Sequence, residues 1–239
     1  MALSSQAAVV TGASGNLGAA VLRAYLTRGT HVAAAVRDAT KGAALRAALA
    51  DVAGDESDPR LLVIDADPAD ASAMEALVER VLRAWGRLDI LNNLAGTFKG
   101  GPALETQLMR ELWETNVLTA VTAGAACLRP MRARGYGRIV SVSAIGALKG
   151  GRNGAAYAMS KSALVRWTES LAAEVKGEGI TVNAVLPTTI DHPTNRAQMP
   201  KADPKLWPSP EEVANVILFL SSRDASGVNG AAIPITART

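Results

Sequence analysis

Short apolar runs alternate along this chain with longer segments in which apolar residues recur at helical spacing. The short runs predict buried strands, and the longer segments predict helices that cross from one strand to the next. The predicted strands are Ala7–Thr11, His31–Val36, 61–64, 90–92, 138–142, 180–186 and 231–235, and the clearest helical segments are 19–28, Ala71–Trp85, 110–129 and 157–176. Parallel strands need such long crossovers. We therefore expect an α/β fold, a single doubly wound domain over residues 1–239 with a mostly parallel sheet of about seven strands.

Two segments carry turn-forming residues in place of a regular apolar period. Residues 147–156 are rich in glycine and end directly before Tyr157, and residues 188–210 are rich in proline. A loop as long as the second segment is uncommon inside a compact domain and is usually functional or disordered. We expect residues 188–210 to form a lid loop over a binding site, because this segment also carries a cluster of polar side chains.

Composition narrows the class of protein. The 239 residues are 49% hydrophobic but only 4% aromatic, so the core must consist mainly of Ala, Val, Leu and Ile. This suits buried parallel strands flanked by alanine-rich helices. The formal net charge is +3, and no block of Lys or Arg stands out. We therefore expect no nucleic-acid partner, and the small positive excess favours attraction of an anionic cofactor.

The remaining residue types argue against several other classes of protein. The single cysteine, Cys127, cannot form an intrachain disulfide, and two histidines without clustered carboxylates make a catalytic metal site improbable. The N-terminus lacks a secretory pattern, and no apolar run approaches membrane-spanning length. We expect a cytoplasmic protein with no membrane partner.

The clearest chemical motif follows the first predicted strand directly. Residues 11–18 read Thr-Gly-Ala-Ser-Gly-Asn-Leu-Gly and lead into a helical pattern. A glycine-rich turn between a strand and a helix lets the backbone approach a pyrophosphate, which binds the free N–H groups at the positive end of the helix. The alternative is an ordinary turn without a ligand. The place of residues 11–18 between the first strand and the first helix favours phosphate binding over this alternative.

This segment resembles the Thr-Gly-x-x-x-Gly-x-Gly fingerprint of the short-chain dehydrogenase/reductase family, with Asn16 in place of the middle glycine. Asn is the non-glycine residue that best tolerates a left-handed backbone, so the turn can survive. The resemblance covers nearly the whole chain and implies a Rossmann-like domain that binds a nicotinamide dinucleotide. The cofactor-binding residues that it implies in this turn are Gly12, Ser14, Gly15, Asn16, Leu17 and Gly18.

The end of the second strand bears on the choice of dinucleotide. An acidic side chain there binds the ribose 2′-hydroxyl of NAD, whereas an arginine suits a 2′-phosphate. Arg37 stands directly after Val36, the position at which NAD-using family members place their Asp. We therefore expect NADP(H), favoured over NAD(H). The alternative is that Arg37 is a solvated surface residue and Asp38 selects the cofactor.

The resemblance implies further cofactor contacts after the third, fourth and sixth strands. Asn93-Leu94-Ala95-Gly96 is similar to the family's Asn-Asn-Ala-Gly, with Leu94 replacing the second Asn. A strand-end turn residue is an equally good interpretation of Asn93. The implied cofactor-binding residues in these places are Asp65, Ala66, Asn93, Ala95, Gly96, Pro187 and Ile190.

Tyr157 and Lys161 lie four residues apart, on one face of a predicted helix. The ammonium of Lys161 can stabilise the Tyr157 phenolate and reach a ribose hydroxyl. This pair would act as general acid in reduction and as general base in oxidation. Together with the glycine-rich turn, the Tyr-x-x-x-Lys spacing is a strong family signal. The resemblance also implies that Asn116 bends its helix and holds a water that joins Lys161 to solvent.

One catalytic position departs from the family. The family's serine lies thirteen residues before the tyrosine, where this chain has Ala144, and Ser143 stands one position early. Neighbouring residues at a strand end point to opposite faces. Either Ser143 serves as the fourth catalytic residue after a local shift, or the enzyme works without that donor.

The resemblance implies an NADP(H)-dependent oxidoreductase that transfers hydride between the nicotinamide and a small carbonyl or alcohol substrate, as ketoreductases do. Two alternatives remain. Ala144 and residues 186–203 resemble the quinonoid dihydropteridine reductase branch, which suggests a quinonoid-ring or pteridine reductase, although that branch prefers NADH. Ala144 and Leu94 are also compatible with a cofactor-binding homologue that is not catalytic. Helical segments 110–129 and 157–176 resemble those through which family members form homodimers and homotetramers.

Overall fold

The computed structural model describes residues 3–54 and 58–238, and its strands form one seven-stranded sheet. All neighbouring strands pair in parallel, in the order β3-β2-β1-β4-β5-β6-β7. The strands are β1 (Ala7–Thr11), β2 (His31–Val36), β3 (Leu61–Asp65), β4 (Ile90–Asn93), β5 (Gly137–Val142), β6 (Ile180–Pro187) and β7 (Ala232–Ile235). The predicted doubly wound α/β sheet is confirmed.

Helices cover both faces of this sheet. They are α1 (Gly18–Leu26), α2 (Ala39–Ala53), α3 (Ala71–Trp85), α4 (Thr106–Trp113), α5 (Thr119–Arg134), α6 (Ala155–Glu174), α7 (Pro193–Gln198) and α8 (Pro210–Ser221). The strands are continuous apolar runs because helices bury both of their faces, as β1 shows. Ala8 and Val10 enter one core with α1, α2 and α8, whereas Ala7 and Val9 enter the opposite core with α3 and α5.

The strand order reverses between β1 and β4, which pair with Thr11 opposite Asn93. In open parallel sheets, ligands bind outside the carboxyl ends of the strands at such a switch point. The glycine-rich turn after β1 and the segment after β4 therefore open onto the same crevice.

The predicted helix 110–129 is part of a longer helical stretch. α4 and α5 are joined without a break by a π-helical turn, Glu114–Leu118, which contains Asn116. A π turn adds a residue to the helix and often marks a functional site. The bend expected at Asn116 therefore has a structural counterpart.

Residues 188–210, which we expected to form a lid loop, contain short helical elements. α7 lies inside this segment, followed by a 3₁₀ turn at Pro204–Leu206. His192 and Asp203 each accept a backbone hydrogen bond at the start of these elements, and each is followed directly by proline. A capping side chain followed by proline is a helix-start signal, which breaks the loop into short helical pieces.

Over the described ranges, no helix combines the length and the apolar character needed to cross a membrane. The same residues contain no group of three or more His, Cys, Asp or Glu side chains that could hold a metal ion. Cys127 is a free, buried thiol in α5, and burial raises its pKa to about 12.

Candidate active site

The glycine-rich turn after β1 is shaped by close backbone contacts. Gly12 has a φ of +63°, and a Cβ there would come within 2.6 Å of the Ala95 nitrogen. A Cβ on Gly18 would lie 1.9 Å from the Ala13 carbonyl oxygen. The turn therefore requires glycine at positions 12 and 18. It packs the end of β1 against the segment that follows β4.

Asn16 fits this turn for a different reason from the one expected. Among the non-glycine residues described, it is not one of those with positive φ, so the turn does not require a left-handed residue there. Hydrogen bonds from the Gly15 N–H to the Gly12 carbonyl, at 3.0 Å, and from the Gly18 N–H to the Gly15 carbonyl, at 3.1 Å, build the turn instead. Ser14, Gly15 and Asn16 are exposed.

The start of α1 faces the same crevice without a side-chain cap. Leu17 occupies the N-cap position, is buried and supplies no capping hydrogen bond. The first N–H groups of a helix have no partner within the helix and favour an anion. Because the cap offers them no acceptor, the backbone fits a phosphate group.

At the end of β2, Arg37 and Asp38 have different environments. Asp38 caps α2 by accepting hydrogen bonds from the N–H groups of Lys41 and Thr40, which lower the pKa of its carboxyl group. Arg37 is exposed and has no ion pair or hydrogen bond with the residues that the structure describes. Asp38 therefore serves the helix, and the Arg37 guanidinium is available to an anionic group.

Asp65 and Ala66 lie at the neighbouring strand end. The Ala66 N–H bonds the Val36 carbonyl at 2.9 Å, which holds this turn against β2. Asp65 is exposed, whereas Ala66 is buried. Their position beside Arg37 suits contacts with the adenosine end of a dinucleotide.

The segment after β4 contains an incompletely bonded polar side chain. The Asn93 Nδ2 donates to Ser141 Oγ at 3.2 Å, whereas its buried Oδ1 has no hydrogen-bond partner among the described residues. The N–H of Ala95 bonds Thr11 Oγ1 at 3.4 Å, across the switch point. A buried carbonyl oxygen without a donor is costly. Asn93 therefore fits a role as hydrogen-bond acceptor for a bound hydroxyl or amide group.

Tyr157 and Lys161 occupy the first turns of α6. The Lys161 ammonium lies 5.9 Å from the centroid of the Tyr157 ring and donates to the Val142 carbonyl at 2.9 Å. Burial lowers the pKa of Lys161 to about 8 and raises the pKa of Tyr157 to about 12. The phenol is therefore protonated at neutral pH, and burial opposes the phenolate that the lysine was expected to stabilise.

Asn116 fixes the segment that leads from β4 to the site. Its Oδ1 accepts from the Thr97 N–H at 2.7 Å, and its Nδ2 donates to the Thr97 carbonyl at 3.1 Å and to Ser160 Oγ at 3.0 Å. It is fully buried. A Cβ on Gly96 would lie 2.9 Å from Asn116 Oδ1 and 3.1 Å from Lys161 Nζ, so both side chains line the space beside Gly96.

The hydroxyl of Ser143 is committed to a backbone carbonyl, which speaks against the alternative that it serves as the fourth catalytic residue and favours an enzyme without that donor. It is buried, and its hydroxyl donates to the Lys161 backbone carbonyl at 2.8 Å. Ala144 is in extended conformation and leads into a 3₁₀ turn, Ile145–Ala147. No local shift moves Ser143 into the vacant serine position, because its hydroxyl is used to anchor α6.

Pro187 and Ile190 lie at the far side of the crevice. Pro187 is buried at the end of β6, paired with Ile235 of β7. Ile190 is half-buried, and its carbonyl accepts from Asn195 Nδ2 at 2.8 Å, so it is tied to α7. The Thr188 Oγ1 between them is buried without a partner among the described residues, a further candidate contact that sequence reasoning missed.

Phe98 is a second residue that sequence reasoning missed. Its ring packs edge-on against Tyr157, with centroids 4.9 Å apart and planes at 81°, yet 62% of its surface is exposed. The sequence signal that could have indicated it is an aromatic residue two positions after Gly96, next to the predicted cofactor-binding segment. Phe98 therefore forms an exposed apolar wall beside the Tyr157 ring.

Taken together, these features fit a nicotinamide dinucleotide. The uncapped start of α1 suits the diphosphate, Arg37 suits a charged group on the adenosine ribose, and the unpartnered Asn93 Oδ1 and buried Lys161 ammonium suit sugar hydroxyls.

Comparison with known proteins agrees with the geometry. Residues 6–203 match the family described as short chain dehydrogenase. The chain is 33% identical to D-threitol dehydrogenase of Mycolicibacterium smegmatis, covering 98% of this chain and 92% of that protein. It is 31% identical to 3-oxoacyl-[acyl-carrier-protein] reductase of Escherichia coli, covering 93% and 92%. The crystal structure of NAD⁺-bound xylitol dehydrogenase superposes with a TM-score of 0.88, at 25% identity and with 99% and 100% coverage.

These relatives do not confirm the resemblance to the quinonoid dihydropteridine reductase branch. They are named as dehydrogenases and reductases of alcohol and ketone groups. The chain belongs to the short-chain dehydrogenase/reductase family and is an oxidoreductase.

Proposed function

We propose that this chain is an NADP(H)-dependent reductase of small carbonyl compounds in which Tyr157 donates the proton. One observation carries the proposal: the Tyr157 phenol and the buried Lys161 ammonium lie one helical turn apart, beside the carboxyl end of β5. Reduced nicotinamide, when bound, supplies the hydride. The Tyr157 hydroxyl then protonates the carbonyl oxygen, because its raised pKa keeps the proton on the phenol until the oxygen becomes basic.

Lys161 and Asn116 support that step without touching the substrate. The Lys161 ammonium keeps positive charge close to the phenol, so it stabilises the phenolate that remains after proton transfer. Asn116 holds the backbone at Thr97, and its Oδ1 lies with the Lys161 ammonium beside Gly96, so it limits the space open to the lysine. Its place in a π turn supports the proposed water-mediated path from Lys161 to solvent.

The preference for NADP(H) rests on Arg37. Xylitol dehydrogenase binds NAD⁺ on the same fold, so cofactor choice depends on local residues. Asp38, the competing acidic residue, accepts two backbone hydrogen bonds at the start of α2. Arg37 is exposed and unengaged by the described residues, and a guanidinium pairs well with a phosphate.

The competing proposal is a cofactor-binding protein without catalytic activity, favoured by Ala144 in place of the family's serine. It predicts dinucleotide binding without turnover. The intact Tyr157–Lys161 pair supports the catalytic proposal instead.

Assembly into homodimers or homotetramers is also proposed. Trp113 and Leu118 are 47% and 40% exposed on the α4–α5 stretch, and Met159 is 57% exposed on α6. Large exposed apolar side chains on neighbouring helices favour association. Analytical ultracentrifugation would test this, with a monomer at micromolar concentration as the contradicting result.

A direct experiment tests the function. The dissociation constants of NADPH and NADH are measured by calorimetry, and oxidation of each is then followed with a panel of ketones, diketones and quinones. We expect at least about tenfold tighter binding of NADPH and turnover with some acceptors. Equal affinity for both cofactors would remove the case for phosphate recognition, and binding without any turnover would support the non-catalytic alternative.

A further inference from the structure

Three serine hydroxyl groups near the start of α6 donate their hydrogen to backbone carbonyl groups. Ser143 donates to the carbonyl of Lys161 at 2.8 Å, Ser160 donates to that of Tyr157 at 2.8 Å, and Ser162 donates to that of Ala147 at 2.6 Å. The Ser143 and Ser162 bonds join α6 to the segment that precedes it, whereas the Ser160 bond lies within the helix. A hydroxyl committed in this way has no hydrogen left for a substrate.

Apart from Lys161, the neighbours that the structure gives the Tyr157 ring carry no side-chain donor. A Cβ on Gly146 would lie 3.7 Å from the ring, and Phe98 packs edge-on against it. Ala144, which follows β5, is 8% exposed. Among these neighbours and the three serines, the side-chain hydrogens that remain free for a substrate belong to the Tyr157 phenol and the Lys161 ammonium.

A substrate carbonyl would therefore receive one strong hydrogen bond at its oxygen, from Tyr157. A second preorganised donor at a developing oxyanion is worth roughly 10²–10³ in rate. A carbonyl next to another carbonyl needs that donor less, because the neighbouring group withdraws electrons from the reacting carbon, which favours hydride addition and lowers the basicity of the alkoxide that forms.

Phe98 adds a preference for shape. Its segment is fixed at both ends, by Asn116 at Thr97 and by the Gly101 N–H, which bonds the Asn153 carbonyl at 2.9 Å. The ring is thus held beside Tyr157 with most of its surface exposed. Aromatic faces favour planar, electron-poor partners in offset stacking.

From these two features we infer that the preferred substrates are planar 1,2-dicarbonyl compounds, which this site reduces to 2-hydroxyketones. The inference rests on the proposed function. One carbonyl carbon gains the hydride released when a C–H bond of reduced nicotinamide breaks, its π electron pair moves to oxygen, and an O–H bond forms as the Tyr157 O–H bond breaks. The phenolate then regains a proton from solvent, so each turnover consumes one hydride and one proton.

A matched pair of substrates tests the inference. Acenaphthenequinone and acenaphthenone share one planar skeleton and differ by a single carbonyl group. The native protein should reduce the dione with a kcat/KM at least about 10³ times that for the monoketone. Ala144→Ser, which supplies a hydroxyl at the vacant position, should raise kcat/KM for the monoketone by about 10² and for the dione by less than about threefold.

The control is Ser143→Ala at the adjacent position. It removes the hydroxyl that anchors Lys161, so both substrates should slow by a similar factor and their ratio should stay constant. A selective loss for the monoketone in Ser143→Ala would identify Ser143 as the polarising donor and overturn the inference. The same selective loss in Lys149→Met or Arg152→Met would assign that donor to the exposed loop, with the same consequence.

A binding measurement gives a readout that does not depend on turnover. 1-Naphthamide presents a carbonyl oxygen on a planar ring and cannot be reduced here. Its dissociation constant, measured by calorimetry with NADPH present, should fall by about five- to tenfold in Ala144→Ser, as expected for one added hydrogen bond. An unchanged constant together with equal rates on both ketones in the native protein would overturn the inference. Failure of the proposed function gives a different result, namely no reduction of either compound with NADPH or NADH.

Discussion

The side chains of Asn116 and Lys161 both lie beside Gly96. A Cβ added to Gly96 would be 2.9 Å from Asn116 Oδ1 and 3.1 Å from Lys161 Nζ. The amide of Asn116 is fully engaged by Thr97 and Ser160, so its position beside Gly96 is fixed. The π turn in the long helix is what brings this amide to the active site.

Replacing Asn116 by alanine should therefore weaken catalysis and stability together. Three buried or partly buried hydrogen bonds are lost, at a cost of about 1–3 kcal/mol in the free energy of unfolding. We expect kcat to fall by at least about tenfold, because Lys161 and the Thr97 backbone lose their fixed positions. Chemical denaturation and NADPH oxidation measure the two effects. The exposed Glu114 of the same π turn is the control, and Glu114→Gln should change neither quantity. Unchanged kcat in Asn116→Ala would contradict a positioning role.

Burial of Lys161 predicts a distinctive pH dependence of stability. The pKa of Lys161 is about 8 in the folded protein, below its ordinary value of 10.5, so above pH 8 the unfolded chain binds more protons than the folded one. Stability should then rise with pH through this window. Tyr157 has a raised pKa of about 12, so its contribution is present at lower pH and is lost only above pH 10.

The test compares the native protein with Lys161→Met, without dinucleotide, by denaturation at pH 7, 8, 9 and 10. The native protein should gain on the order of 1 kcal/mol relative to the variant between pH 8 and 10. Parallel pH profiles for the two proteins would show that the ammonium is not destabilised by burial.

Arg37→Asp should reverse the preference for cofactor. The substitution places a negative charge where the 2′-phosphate would bind, and we expect the dissociation constant for NADPH to rise by about 10²-fold while that for NADH changes little. Arg80→Asp, on the exposed face of α3, makes the same change in net charge away from the site. If both variants weakened NADPH binding equally, the effect would be one of overall charge.

Gly18→Ala should not be tolerated. Its Cβ would lie 1.9 Å from the Ala13 carbonyl oxygen, a backbone atom that cannot move without opening the turn. We expect a loss of about 3 kcal/mol or more in the free energy of unfolding, with weaker dinucleotide binding in any folded fraction. Gly227→Ala, where a Cβ would meet nothing within 4 Å, should be nearly neutral. Near-native stability of Gly18→Ala would show that the turn can rearrange.

The sheet could be predicted well because its signal is local. β1 and β2 have the predicted bounds, since each is an apolar run buried on both faces and ended by a turn. The π turn at Glu114–Leu118 could not be predicted, because no residue type marks where a helix takes in one extra residue. The start of α8 could have been predicted from the sequence, since Ser209 and Glu212 form a capping box and Pro210 follows the cap.

The chemistry of the site divides in the same way. The turn at Gly12 and the pair Tyr157–Lys161 follow from spacing along the chain, and the structure brings them to one crevice. The partner of Ser143 depends on how β5 packs against α6, a contact between distant residues that no local pattern encodes. The sequence could have predicted that Asp38 caps α2, because Asp directly before a helical segment is a common N-cap.

The most direct test of the catalytic assignment is the turnover of Tyr157→Phe with acenaphthenequinone and NADPH, measured beside its NADPH affinity. The substitution removes only the hydroxyl and keeps the ring that packs against Phe98. We expect kcat to fall by at least about 10³-fold while the dissociation constant for NADPH stays within about twofold. Turnover at the native rate, with the fold and the affinity intact, would mean that Tyr157 is not the proton donor.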